Sequence, residues 1–147
     1  MTENVLLKDL DVIIIDMPPR TGDTQLTFAQ QIKVDGAVIV STPQDLALLD
    51  VKRGIEMFNK TGIKIIGLVD NMSFFKGDDE KEYNIFGEGG VEKTAKEYKK
   101  EFLGKIPIHQ DLRDANDKGD PLTRSNPEHD VSLRFKKIAE KIKQEFN

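Results

Sequence analysis

The sequence predicts an α/β fold, a parallel sheet of four strands with helices on both faces, and three observations carry that expectation. Short β-branched and aliphatic runs, Val12-Ile13-Ile14-Ile15, Ala37-Val38-Ile39-Val40 and Ile65-Ile66-Gly67-Leu68-Val69, read as strands buried on both faces. Between them lie segments whose apolar residues recur at three- and four-residue steps, as on one side of a helix. The connections are short, so strand and helix alternate in the right-handed parallel succession.

The first strand ends at Asp16, and Pro18-Pro19 cannot continue a ladder. Thr21-Gly22-Asp23 then makes a turn, and Thr24 can cap a helix carrying Leu26, Ala29 and Ile32, with Phe28 beside them. A second strand over 36–41 is broken by Thr42-Pro43-Gln44, and a helix with Leu48, Val51, Ile55 and Phe58 on one face closes at Thr61-Gly62. Residues 64–70 form the third strand, with Asn71 just past its end. From Met72 to Gly90 no periodicity survives, which predicts a long loop. Val91, Ala95 and Tyr98 mark a helix, and Phe102 to Ile106 a fourth strand stopped by Pro107. Leu112 and Ala115 suggest a short helix closed by Gly119. Ser125-Asn126-Pro127-Glu128 has the form of a capping box, opening a last helix with Val131, Phe135, Ile138, Ile142 and Phe146 inward.

The 147 residues fit a single domain over 1–147, without internal repeat or linker. The sequence contains no cysteine, which excludes disulfides and any thiolate-held zinc or iron-sulfur cluster within this polypeptide. A formal net charge of -4 with Lys and Glu interspersed excludes a nucleic-acid footprint. No window approaches the ~18 apolar residues of a membrane span, and no basic, apolar leader opens the sequence, so the expectation is a cytoplasmic protein without membrane partners.

Ligands of open α/β sheets bind beyond the carboxyl ends of the strands. That rim is expected to carry Asp16, Asp23, Thr42, Gln44, Asn71 and the segment after Pro107. An acid at a strand end suits phosphate or Mg2+ chemistry; a general acid and base pair of Asp16 with Asp23 is the less favoured use. His109 and His129 lie in unlike contexts without a third ligand in register, which favours surface or packing roles. Asp78-Asp79-Glu80 lacks the spacing of an EF-hand loop and reads as solvated. A strand ending in Asp followed by Met-Pro is also similar to a phosphoacceptor receiver domain, with Asp16 as acceptor. The acidic pair of such domains is missing, and Lys105 is distant from Asp16 in sequence.

Taken in order, Leu10 to Asp23, Val40-Ser41-Thr42-Pro43-Gln44, Asp70-Asn71-Met72-Ser73-Phe74-Phe75 and Ile85-Phe86-Gly87-Glu88-Gly89-Gly90 resemble the Mrp/ApbC family of P-loop ATPases that carry iron-sulfur clusters. The resemblance covers the C-terminal half of that family's fold, an incomplete MinD/NifH-like P-loop NTPase domain. It implies ATP and Mg2+ as cofactors and an iron-sulfur cluster as the carried group. It makes Asp16 and Asp23 the candidate catalytic residues, with Asp16 holding Mg2+ through water. Pro18, Thr21 and Gly22 would belong to the switch segment sensing the γ-phosphate, with Thr42 and Gln44 as further nucleotide-binding candidates. Asn71 would bond the adenine edge, and Pro107 and Ile108 would line the base pocket.

Three departures from the family's pattern stand out. No Gly-rich loop ending in Gly-Lys-Ser/Thr occurs in the sequence; in the family it belongs to an N-terminal half, whose strand lies beside the one ending at Asp16. Arg20 replaces a turn glycine, and arginine does not adopt positive φ cheaply. The family's two cluster cysteines fall near Gly77 and Glu80, so there are no iron-sulfur ligands here. The expected activity is therefore that of an ATP-hydrolysing iron-sulfur carrier, in a truncated or split form inactive without a P-loop half. The expected partners are that half or a homo-oligomer, and iron-sulfur apoproteins. A non-catalytic interaction or assembly module is the alternative from another class.

Overall fold

Strand β2 (Ile65–Lys76) runs through the middle of the sheet, with β1 (Ala37–Ser41) and β4 (Phe102–Ile108) parallel to it on either side. The computed structural model describes residues 10–17 and 33–146. The short β3 (Glu82–Tyr83) pairs antiparallel with the end of β2, Phe75 opposite Tyr83. Phe75 also faces Ile108 of β4, so β3 lies on the β1 side, beyond the end of β1.

Five helices are described: α1 (Asp45–Thr61), α2 (Gly90–Glu97), α3 (Gln110–Asp117), α4 (Leu122–Ser125) and α5 (Asp130–Gln144). They cover both faces. On one, Val51 and Ile55 of α1 and Val91 and Ala95 of α2 pack on Ile65 and Leu68. On the other, Ala115, Leu122, Val131 and Ile138 from α3, α4 and α5 pack on Val69, Leu103 and Ile106. Adjacent Leu68 and Val69 serve opposite cores, as strand alternation requires. β2 and β4 approach closely at Gly67, where a Cβ would stand 2.8 Å from the Glu101 carbonyl oxygen and 2.7 Å from Leu103 Cγ.

Several expectations are corrected. Residues 12–17 form no strand, and Ile14 is 90% exposed. A run designed for burial on both faces needs a neighbouring strand, and among the described residues none pairs with it. β2 does not end at Asp70 but continues to Lys76, and with β3 it replaces much of the expected loop. β4 passes through Pro107 to Ile108; among the described residues it pairs only with β2, and proline is tolerated on such an edge. Ser125 ends α4 rather than capping the last helix. The cap of α5 is His129, whose Nδ1 accepts the Val131 N–H at 3.2 Å. Phe135 and Phe146, expected inward, are exposed. No helix among the described residues is long and apolar enough to cross a membrane.

Candidate functional site at the carboxyl edge of the sheet

Ser41, Asp70 and Lys105 lie abreast on β1, β2 and β4. This row marks where three strands deliver their carboxyl halves to one rim. Asp70 is 1% exposed, and neither carboxylate oxygen has a hydrogen-bond partner among the described residues. Burial pushes its pKa up to about 6, Lys105 opposes the shift and Glu92 adds to it. Sequence reasoning missed Asp70 as a distinct feature; the available signal was an acid closing an otherwise apolar run.

Asn71, one residue on, sits inside β2 opposite Ile106 and is half-buried rather than standing past the strand. Beyond it Met72 takes φ 53, a left-handed conformation that disturbs the β2–β4 register. The buried Ser73 hydroxyl donates to the Ile106 carbonyl at 3.1 Å and holds the two strands together across that break. Pro107 is buried, Ile108 is half-buried, and both lie in the last turn of ladder alongside this segment.

On the other side of β2, Thr42 and Gln44 follow β1 directly. Gln44 occupies the cap position of α1 in an extended conformation without a side-chain cap bond, and its exposed amide points into solvent. Pro43 between them is buried under the Gly87-to-Gly90 segment. A Cβ at Gly90 would come within 3.0 Å of the Pro43 carbonyl oxygen and 2.6 Å of Leu48 Cδ1, and Gly87 has φ +104. These glycines permit close packing and a left-handed turn, so their role here is to seat the segment on the start of α1.

The rim thus brings together Thr42, Gln44, Asn71, Pro107 and Ile108. It does not include Asp16, which lies exposed in residues outside the sheet instead of at a strand's carboxyl end. Pro18, Arg20, Thr21, Gly22 and Asp23, and the helix expected after them, lie outside the described residues.

The hairpin between β2 and β3 holds the positions where the resemblance places cysteines. Gly77 N–H donates to the Lys81 carbonyl and Glu80 N–H to the Gly77 carbonyl, closing the turn. Asp79 accepts from the Lys81 N–H and the Tyr83 hydroxyl, which lowers its pKa, and Glu80 pairs with Lys76. The Asp79 and Glu80 carboxylates are engaged with donors of this turn and its flanks, and the sequence contains no thiol. The donor set does not fit a thiolate-held cluster.

His109 and His129, expected in unlike contexts, are neighbours. Their rings stand 4.6 Å apart, edge to face, with Asp111 beside both. The direct passage from β4 into α3 at His109 and the turn that precedes α5 bring them together, which no local sequence spacing announces.

The family model described as "ParA: NUBPL iron-transfer P-loop NTPase" matches residues 1–143. An iron-sulfur cluster carrier protein of Escherichia coli (strain K12) is 45% identical over 143 residues, 97% of this chain and 39% of that protein. The chain therefore spans about two fifths of the length of this relative. Among solved structures, a nucleotide-binding protein from Archaeoglobus fulgidus in complex with ADP aligns with TM-score 0.65 and 39% identity, over 78% of this chain and 46% of that one. The Pyrococcus furiosus cell division ATPase MinD shares the fold at TM-score 0.59 and 24% identity, over 75% of this chain and 43% of that one.

Proposed function

The chain belongs to the NUBPL iron-transfer P-loop NTPase family, and from that premise we propose that it supplies the base-binding side of an ATP site in a protein that delivers iron-sulfur clusters to apoproteins. The observation that carries this reading is the convergence of Asn71, Pro107 and Ile108 on neighbouring strands at one rim, with Thr42 and Gln44 across β2. A half-buried amide that donates and accepts, alongside buried Pro107 and half-buried Ile108, suits the edge and face of an adenine ring.

The phosphate side must come from elsewhere, because the sequence has no Gly-rich loop ending in Gly-Lys-Ser/Thr. On this reading the edge of β1 that has no partner among the described residues, where Val40 is 59% exposed, receives the strand that leads into that loop. The run Val12 to Ile15 would then become a strand on the far side of the incoming one. Asp16 would be drawn to the rim to hold the water shell of Mg2+, followed by the switch residues Pro18, Thr21, Gly22 and Asp23. Catalysis in such a site is positioning and charge stabilisation, with little covalent work for the protein. The cluster is the cargo of this activity, and thiolates that hold it come from outside this chain.

The test is nucleotide affinity of this chain assembled with a P-loop half, read by anisotropy of a fluorescent ADP. Asn71→Ala is expected to weaken binding about tenfold, the scale of a lost buried hydrogen bond. Unchanged affinity would remove Asn71 and the rim from the nucleotide site. The β1 edge, unpaired among the described residues, also supports the second reading, an assembly module without nucleotide. That reading predicts association with the P-loop half that is independent of ADP.

A further inference from the structure

We propose that His109, Asp111 and His129 form a binding site for a first-row transition dication of the Zn2+ class. The site lies where β4 leaves the sheet, at the starts of α3 and α5, and it does not depend on the nucleotide reading. One nitrogen or oxygen from each of the three residues can be chosen so that all lie within 4.8 Å of one another. His129 Nε2 and Asp111 Oδ2 are 3.4 Å apart. Two atoms bound to one tetrahedral Zn2+ at ~2.0–2.1 Å are themselves separated by ~3.3–3.4 Å, so this pair already has the spacing of a shared ion. His109 Nδ1 is 3.9 Å from the same oxygen, and a modest ring rotation completes a facial set of two imidazoles and a carboxylate.

Charge and partners favour the assignment. Among the described residues Asp111 has ion partners only in these two histidines, whereas the nearby Asp130 is taken by Arg134 at 2.8 Å. Two neutral imidazoles and one free carboxylate are the donor set that a borderline dication prefers.

The local hydrogen bonds set the strength. In the metal-free protein each histidine caps a helix through Nδ1, His109 accepting from Asp111 N–H at 3.1 Å and His129 from Val131 N–H at 3.2 Å. The ring proton is then on Nε2. Coordination of His129 through Nε2 moves that proton to Nδ1, and coordination of His109 through Nδ1 takes the lone pair that accepts from Asp111 N–H, so each cap bond is lost. Two caps surrendered lower the affinity about a hundredfold below that of a preformed three-ligand site, and the two helix N-termini oppose the cation further. The site therefore binds more weakly than a preformed three-ligand site. Its occupancy ties the start of α3 to the start of α5 and frees the Asp111 and Val131 amides.

The test uses the tag-free 147-residue chain titrated with Co2+, whose d–d absorption reports inner-shell nitrogen ligands, followed by Zn2+ competition. One Co2+ per chain, displaced by Zn2+ and accompanied by faster amide exchange at Asp111 and Val131, is the expected result. The variant H109N/H129N replaces both ligands while its Asn side chains still accept the cap N–H. It should keep the metal-free melting temperature and lose Co2+ affinity at least tenfold. Asp111→Asn, an exposed change, should also lose affinity and serves if the double variant does not fold. Absence of d–d absorption at about millimolar Co2+, or unchanged affinity in the variant that folds, overturns the assignment.

Discussion

Asp70 and Lys105 stand side by side on neighbouring parallel strands, yet no hydrogen bond joins them, and among the described residues the carboxylate has no donor. The acid is 1% exposed and carries a pKa of about 6, raised chiefly by burial. An orphaned carboxylate in this position makes the sheet's carboxyl half sensitive to pH.

The folded protein holds the Asp70 proton more tightly than the unfolded chain, whose value is 3.8. Between those two values the native state binds more protons, so unfolding free energy falls as pH rises. The stabilisation is complete below the unfolded value and lost above about 6. Its size is on the order of 2–3 kcal/mol. Urea denaturation across this window should show that slope in the wild type, and Asp70→Asn should abolish it. An identical slope in the variant would assign it to another group.

Ile55 is fully buried between α1 and the sheet. Ile55→Ala removes atoms that the tightly packed core cannot replace, and destabilisation of about 2–5 kcal/mol is expected. Chemical denaturation measures it directly. A loss below about 1 kcal/mol would mean that this core collapses around the gap.

Gly90→Ala places a methyl group against the Pro43 carbonyl and Leu48. The neighbours are a backbone oxygen and a branched side chain near a helix start, so relief requires displacement of the Thr42–Gln44 segment. Destabilisation of about 1–3 kcal/mol is expected, with amide shift changes concentrated at residues 42–48 in NMR spectra. Changes confined to α2 would show that the glycine segment does not seat this side of the rim.

Much of the sheet was legible because its signals are local. Ala37 to Val40 and Ile65 to Val69 are β-branched runs, and Leu48, Val51, Ile55 and Phe58 keep helical spacing; β1 and α1 formed close to their expected limits, and β2 began where expected. The prediction failed where formation depends on a neighbour. Val12 to Ile15 has the composition of a central strand, but composition cannot supply the ladder partner that a strand needs. β2 runs past Asp70 through polar Asn71 and Ser73 because β4 and β3 supply partners there, including the Ser73 bond to Ile106. Strand ends read from the sequence placed Thr42 directly after β1, whereas Asn71 and Pro107, expected past their strands, lie inside β2 and β4. The isolation of Asp70 and the meeting of His109 with His129 arise from tertiary packing and leave no periodic trace.

The most direct measurement is ATP binding and hydrolysis by this chain alone and after assembly with a P-loop half, at equal concentrations. Neither activity is expected from the chain alone and both after assembly, with hydrolysis lost in Asp16→Asn while binding of ADP persists. Equal nucleotide binding by the chain alone would contradict the proposed function, because the phosphates would then be held by residues of this chain and the edge of β1 would have no part in the site.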